Sequence, residues 1–321
     1  MPLLKPRPFY KPFEYVWAYQ AWETQQKIHW IAEEVPMADD VQDWRHNLSL
    51  EEKNLLTQIF RFFTQADIEV HDCYMTRYAG IFKPPEISMM LTAFANMETI
   101  HIAAYSHLLD TVGMPETEYL AFTKYQQMKE KCDYLHTFNM DSKLDIAKTL
   151  AVYGAFTEGL QLFASFAILL NFPRFNKMKG MGQIIAFSVR DETLHSDSII
   201  KLFRTFIIEN NISKDLLEKE IYSICDSMVK HEDAFIDLAF EMGEVQGLKA
   251  EDVKKYIRHI ANLRLVQLGF TEIYDQEENP LGWLEPMLNS VEHANFFENR
   301  VTEYSKAATT GTWDEAFENM D

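Results

Sequence analysis

Two copies of a Glu-x-x-His pattern lie in strongly apolar stretches of this 321-residue chain. The first is Glu98 and His101 in NMETIHIAAYSH, and the second is Glu192 and His195 in VRDETLHSDS. On an α-helix, residues three apart share one face, with their Cβ atoms about 5–6 Å apart. Each pair can therefore offer one carboxylate and one imidazole to the same metal ion.

Two other apolar stretches each carry a single interior acid, Asp67 and Glu158. An unpaired carboxylate in a dry core is costly unless it stays protonated. Two divalent cations would balance all four acids, and two neutral imidazoles would complete the shell. Since a lone acid precedes each Glu-x-x-His, two facing helical hairpins would bring the six side chains together. The pattern resembles the dimetal-carboxylate site of ferritin-like bundles.

The first single ligand has two competitors on its own helix. Glu69 and Asp72 lie close to Asp67, but Glu69 shares its face with Gln65 and Asp72, which indicates a wetter position. We therefore predict Asp67 as the ligand. Hard oxygen donors with imidazole suit iron or manganese, and the absence of thiolates argues against structural zinc.

Long apolar segments with helical period predict an all-α bundle in which these side chains meet. Ser49 and Glu52 have capping-box spacing and predict the first helix start. Glycine is scarce, with 11 residues, and alternating strand patterns are not evident. The predicted core helices cover 49–78, 87–111, 144–171 and 183–210, with a more polar connecting helix at 116–140 and amphipathic helices near 213–243, 249–270 and 281–297.

Composition limits the partners. Lys and Arg number 30 against 49 Asp and Glu, a net charge of −19, which argues against nucleic acid or an anionic membrane. The three cysteines form no CxxC, so a reducing, cytoplasmic location is expected. Residues 149–170 carry only Glu158 as a charge and could span a membrane by length, but a buried core helix is the better interpretation.

Tyr105 helps to choose among the functions of a dimetal site. It lies four residues after His101, so it shares the ligands' face, where a phenol can be a one-electron donor rather than an ordinary core tyrosine. At this point the chain resembles a family, the small (beta, radical-generating) subunit of class I ribonucleotide reductase. The matching segments are METIHIAAYSH, TEGLQLFASF, VRDETLH and NFFENRVTEYS.

The resemblance implies roles for individual residues. Tyr105 would carry the stable tyrosyl radical. Trp30, in KIHWIAEEV, Asp191 and the near-terminal Tyr304 would relay it to the large subunit, with Asp191 joining Trp30 to the metal-bound His101. The two metal ions, iron first and manganese or a mixed pair as alternatives, would be bound by Asp67, Glu98, His101, Glu158, Glu192 and His195.

The resemblance and the chain ends predict three parts. Residues 1–20, rich in proline and without a signal-peptide core, form an extended arm, and residues 21–297 form the ferritin-like domain. Residues 298–321, with Trp313 and Phe317, form a flexible tail that binds the large subunit. A homodimer is expected from the family. The chain has no dithiol pair or phosphate cradle, so the nucleotide should bind to the large subunit.

One position departs from the family pattern. Ser188 lies one turn before Glu192 and faces a radical pocket that is apolar in the family, whereas Leu162 and Phe166 fit such a pocket. Two other functions compete with the reductase. A ligand-binding dimetal oxidase of the same superfamily would not need Trp30, Asp191 and Tyr304 together. A ferritin-like metal store would be a shorter chain without an aromatic tail.

Overall fold

The structure is a computed structural model that describes residues 3–118, 120–275 and 278–293. Within these ranges the chain is largely helical, and its β-structure is one isolated bridge between Val245 and Leu248. This confirms the predicted all-α class.

The described ranges contain long helices joined by short connections. Three segments have π-helical hydrogen bonding: Asp43–Asn47 after α2, Cys73–Tyr78 after α3, and Ala151–Gln161 between α6 and α7. The α-helices are α1 (Val16–Lys27), α2 (Ala38–Gln42), α3 (Leu50–Asp72), α4 (Pro85–Val112), α5 (Gln126–Leu135), α6 (Lys143–Leu150), α7 (Leu162–Arg174), α8 (Lys179–Glu209), α9 (Lys214–Ala239), α10 (Ala250–Leu268) and α11 (Leu284–His293).

The ends of the core helices follow local sequence signals. At α3, Ser49 Oγ accepts from the Glu52 backbone N–H at 3.2 Å, and Glu52 Oε2 accepts from the Ser49 N–H at 2.9 Å, which is the predicted capping box. Helix α4 begins after Pro84 and ends at Gly113, whose φ of 77° is accessible to glycine without strain.

Two predictions of local structure were wrong. Among the described residues of the connecting segment 116–140, the α-helical part is α5, preceded by short 3₁₀ turns, instead of one long helix. Helix α1 was not predicted and begins inside the range assigned to the arm. The division into arm, domain and tail stays a prediction.

The N-terminal segment is held against the bundle by two acids, the buried Glu86 and the partly buried Glu209. Glu86, in the first turn of α4, accepts from the Tyr15 backbone N–H at 3.0 Å and pairs with Arg7. Glu209, at the end of α8, accepts from the Leu3 N–H at 2.8 Å and from the Tyr15 hydroxyl at 2.5 Å. Residues 3–15 therefore bind to the ends of two core helices.

The start of α8 is capped by a residue far away in the sequence. The buried Asp40 accepts from the backbone N–H groups of Gly180 at 2.8 Å and Met181 at 2.7 Å. A Cβ at Gly180 would lie 2.7 Å from the Pro36 carbonyl oxygen, so only glycine permits this close approach. These contacts fix where α8, with its Glu-x-x-His, begins.

The helical run Lys143–Arg174 forms the middle of the bundle. Its 32 residues are long and apolar enough to cross a membrane, but the apolar window is entirely buried against other helices. A core helix passes the same test, so one such run is weak evidence for a membrane span.

Candidate metal centre

The six predicted ligands converge in the core. Potential ligand atoms of Glu98, Glu158, Glu192 and His195 lie within 4.8 Å of one another, and so do those of Asp67, Glu98 and His101. Glu98 belongs to both groups. All six side chains are at most 1% exposed.

The six predicted ligands lie on four segments of the bundle. Asp67 lies on α3, Glu98 and His101 on α4, and the second Glu-x-x-His on α8. Glu158 lies in the π-helical segment, a rare structure that is frequent at functional sites. A Cβ on the adjacent Gly159 would lie 2.6 Å from Ser196 Oγ and from Arg264 Nε. Glycine there lets the Glu158 segment approach α8 and α10.

The cluster has the properties of a cation site. Buried polar atoms normally have hydrogen-bond partners, so buried atoms without them need an explanation. His195 Nδ1 lies 3.0 Å from Glu98 Oε1, although neither atom makes a hydrogen bond. Together with the oxygen and imidazole donors, these atoms fit a pair of divalent ions. The buried ligand atoms without a partner are Asp67 Oδ2, Glu98 Oε1, Glu158 Oε2, Glu192 Oε2 and His195 Nδ1.

Burial and mutual charge shift the pKa values of these groups in opposite directions. Burial raises the pKa of Asp67 well above its usual value and that of Glu158 to about 8. Burial opposes the ionised form of Glu98 too, but His101 lowers its pKa to about 2. The carboxylates raise the pKa values of His101 and His195 despite burial. Protons thus balance the charges in the cluster, and bound cations would displace them.

The outer nitrogen of His101 leads to the predicted relay residues. His101 Nε2 lies 3.2 Å from Asp191 Oδ2, and Trp30 Nε1 donates to the same oxygen at 2.8 Å. Asp191 and Trp30 are both buried. The structure therefore brings these three residues into one hydrogen-bonded chain, with Nδ1 of His101 left to face the carboxylates.

Gln25 was missed by the sequence analysis. Its Nε2 donates to Asp191 Oδ1 at 3.3 Å, and its Oε1 lies 3.0 Å from His195 Nε2. One buried carboxamide on α1 thus joins Asp191 to the second histidine. The sequence carried little signal for this role, because α1 itself was not predicted.

Tyr74 was also missed as a site residue. It lies in the π-helical extension of α3, and its hydroxyl donates to Glu158 Oε1 at 2.6 Å. The spacing gave one hint, since Tyr74 is seven residues, or two turns, after Asp67 on the same helix face. The bond leaves Oε2 of Glu158 for a cation.

Tyr105 lies beside the cluster in a largely aromatic pocket. Its ring stacks on Phe63 at 4.7 Å between centroids, and Phe63 contacts Phe166 at 5.9 Å. The ring centroid of His101 is 6.4 Å away. The hydroxyl donates to Ser188 Oγ at 2.8 Å. Burial raises the pKa of the Tyr105 phenol well above its usual value, so the phenol is protonated at neutral pH.

The competing acids on α3 lie outside the cluster. Glu69 accepts from Gln65 at 2.6 Å and lies 2.9 Å from His136 Nε2. Asp72 is exposed and accepts from Thr76 at 3.1 Å. Tyr304 and the tail 298–321, with Trp313 and Phe317, lie outside the described residues.

Comparison with known proteins identifies the family of the chain. The sequence model of the family "Ribonucleotide reductase, small chain" matches residues 7–280. A protein of Invertebrate iridescent virus 3, named a probable ribonucleoside-diphosphate reductase small subunit, is 45% identical over 97% of this chain and 88% of its own length.

Solved structures share the fold at lower identity. The ribonucleotide reductase R2 subunit from Clostridium botulinum superposes with a TM-score of 0.80 at 23% identity, over 86% of this chain and 89% of its own. Dimanganese(II)-NrdF from Streptococcus sanguinis gives 0.76 at 19% identity, over 90% and 99%. With the family match covering most of its length, the chain belongs to the ribonucleotide reductase small-chain family.

Proposed function

We propose that this chain, as the small subunit of a ribonucleoside-diphosphate reductase, forms a tyrosyl radical on Tyr105. The radical is passed to the large subunit, which reduces ribonucleotides to deoxyribonucleotides. The observation that carries the proposal is a buried phenol beside a buried cluster of four carboxylates and two imidazoles in a member of this family.

The cluster would hold two metal ions per chain. One ion would bind Asp67, Glu98 and His101, and the other would share Glu98 and use Glu158, Glu192 and His195. When bound, the metal pair activates molecular oxygen and supplies the one-electron oxidant for the nearby phenol. We infer iron as the first occupant, with manganese or a mixed pair as alternatives, because the donors suit both metals.

The residues around the cluster would hold and connect the reacting groups. Asp191 accepts from Trp30 and fixes the His101 ring, since a ligating histidine normally gives its other nitrogen to such a partner. Trp30 would take the radical outward, and Tyr304 would complete the relay at the subunit interface. Trp30→Phe would keep the fold but stop nucleotide reduction, with the Tyr105 radical still detectable; full reductase activity would contradict the relay.

The chemistry of nucleotide reduction would take place on another chain. The three cysteines, Cys73, Cys132 and Cys225, are free and buried, so none is placed to reduce a bound ribose. The large subunit would bind through the tail 298–321. The free cysteines are consistent with a reducing compartment and support a cytoplasmic location, which fractionation of expressing cells would test.

The small subunit would also pair with itself. Three apolar side chains are exposed on adjacent core elements: Ile68 (46%) on α3, Met75 (51%) in the π-helical segment that follows it, and Ile102 (37%) on α4. Such a face is suited to a homodimer contact. Sedimentation velocity should find a dimer at micromolar concentration, and a monomer at all concentrations would contradict the pairing.

Electron paramagnetic resonance tests the radical directly. The full chain is loaded with Fe(II), or separately with Mn(II), exposed to oxygen, and assayed for metal. We expect about two ions per chain and a tyrosyl signal that Tyr105→Phe abolishes while keeping its metal. A signal that persists in Tyr105→Phe would move the radical to another residue. The competing oxidase is not favoured by the reductase relatives, but two bound metals with no radical under either loading would support it.

A further inference from the structure

Ser188 is a polar side chain in the pocket of the Tyr105 ring. The pocket is otherwise aromatic on the side of Phe63 and Phe166, and Ser188 is fully buried. Among the described residues, its Oγ is the hydrogen-bond partner of the Tyr105 hydroxyl, at 2.8 Å. A buried phenol without a hydrogen-bond partner is destabilising, so this contact favours the observed position of the ring.

The direction of the hydrogen bonds at Ser188 is defined by its second partner. A serine hydroxyl has one proton and two acceptor lone pairs. The Ser188 proton is directed to the Ile184 carbonyl, one turn earlier on α8, at 3.1 Å. The hydroxyl therefore accepts from Tyr105 while that residue is a phenol.

We propose that Ser188 is a positioning residue that stays hydrogen-bonded to Tyr105 in both oxidation states by turning its hydroxyl. This inference rests on the proposed radical at Tyr105. Oxidation of the phenol removes one electron and one proton, and both go to the oxidant of the proposed function, molecular oxygen reduced at the metal pair. The resulting phenoxyl oxygen can only accept, so the Ser188 proton turns from the Ile184 carbonyl to the phenoxyl.

The turn costs little at the carbonyl. Residue 188 lies four positions after Ile184 within α8, so the regular helix bond from the Ser188 backbone N–H remains on that carbonyl. An apolar side chain at this position would leave the phenoxyl oxygen without a donor. Ser188 would therefore make this radical a hydrogen-bonded one.

The phenol form is tested before any oxygen is added. Infrared difference spectra of full-length protein with isotope-labelled tyrosine give the Tyr105 C–O stretch, which Tyr105→Phe assigns. We expect a shift of that band in Ser188→Ala and its recovery in Ser188→Thr, which keeps the hydroxyl. The control is Thr205→Val, which removes a comparable bond on α8, to the Lys201 carbonyl at 2.8 Å, at a partly exposed site. It should leave the band unchanged.

The radical form is tested after loading with metal and oxygen. Electron–nuclear double resonance in H₂O and D₂O should reveal one exchangeable proton coupled to the wild-type radical. The coupling should be lost in Ser188→Ala, with a rise in g1, and kept in Ser188→Thr and Thr205→Val. An exchangeable coupling that survives in Ser188→Ala, or none in wild type, would overturn the proposal.

The two tests separate this inference from the proposed function. If no preparation forms a radical, the role of Tyr105 fails and the turn of the hydroxyl fails with it. In that case an infrared shift in Ser188→Ala would still show a static contact, and its absence would remove the contact too. If the radical forms without the Ser188 coupling, only this inference fails.

Discussion

At the scale of single residues, the site is a set of charges that need a counter-charge. Four acids and two imidazoles meet with buried ligand atoms that lack hydrogen bonds. Burial opposes ionisation of both Glu98 and Glu158, but His101 outweighs it at Glu98, so the pKa values of the two acids shift in opposite directions. Two divalent ions would neutralise the charge of the four carboxylates without bound protons.

The choice of first ligand on α3 gives a prediction with a control on the same helix. Asp67→Ala should reduce the metal content from about two ions per chain to one or fewer, because it removes one of three donors from its group. Asp72→Ala, which removes an exposed acid five residues away, should keep both ions. Plasma emission analysis of the purified, loaded proteins measures the content, and equal occupancy in the two variants would mean that the ligand assignment is wrong.

Gln25 gives a second prediction at this scale. Gln25→Leu should weaken metal binding by about 10–100-fold, because the variant leaves His195 Nε2 and Asp191 Oδ1 without the carboxamide that orients them. Gln26→Leu changes the adjacent, exposed glutamine and should bind metal as wild type does. Chelator competition measures the two affinities; an unchanged value for Gln25→Leu would show that the bridge is dispensable.

At the scale of helices, a buried ion pair outside the metal cluster joins α5 to α9. Lys131 and Glu232 are each at most 1% exposed and are in contact, and the Lys131 ammonium lies 3.6 Å from the Phe62 ring centroid and 4.3 Å from that of Phe235. This cluster fastens the outer helices to α3, the helix that carries Asp67. Burial raises the pKa of Glu232 to about 7 and lowers that of Lys131.

The Lys131 and Glu232 pair predicts a pH dependence of stability. Because the folded-state pKa of Glu232 is above the ordinary 4.5, its contribution is fully present below about pH 4.5 and is lost as the pH rises through about 7. The free energy of unfolding of the wild type should fall by about 3 kcal/mol across this window relative to Glu232→Gln. Urea denaturation from pH 4.5 to 8 measures it, and parallel curves for the two proteins would contradict the assignment.

A deletion of one partner provides the matched test of the pair itself. Lys131→Met should destabilise the fold by about 3–5 kcal/mol because it leaves Glu232 buried without a partner. Lys131→Met with Glu232→Leu should recover most of that loss, since buried pairs are often replaceable by apolar residues. If the double variant were as unstable as the single one, packing rather than charge would be responsible.

At the scale of the whole molecule, the bundle keeps the buried cluster away from solvent. In the proposed function, the radical would therefore leave the site only through the relay residues. The N-terminal segment, α1 and α2 close one side of the core, and they supply Gln25 and the cap of α8. The proposed tail, residues 298–321, would bind the large subunit. The small subunit would therefore depend on its tail for function but not for its fold.

Deletion of residues 305–321 tests that separation. We expect the affinity for the large subunit to fall at least tenfold, while metal content and the Tyr105 radical stay at wild-type levels. Surface plasmon resonance against the large subunit and electron paramagnetic resonance on the same sample measure both. Trp313→Ala with Phe317→Ala in the full chain should reproduce most of the loss, and unchanged affinity in both would contradict tail binding.

The sequence by itself determined the helix class and the residues brought to the cluster. The i, i+3 spacing places each Glu and its His on one face of the helix. A carboxylate inside an apolar helix is costly to bury unless it has a partner of opposite charge. These are local rules that hold before the chain folds. They predicted the long core helices and set Asp67, Glu98, His101, Glu158, Glu192 and His195 on faces that could meet.

Only the tertiary structure decided which neighbours complete the site. Helical spacing placed Tyr74 and Ser188 on the faces that carry the site, but their partners, and the whole role of Gln25, depend on contacts with residues far away in the chain. The π-helical segment around Glu158 contains Gly159, which permits close packing against α8 and α10, and this packing is visible only in the folded chain. Local spacing thus determines which side chains can form the cluster, and long-range packing determines which groups orient them.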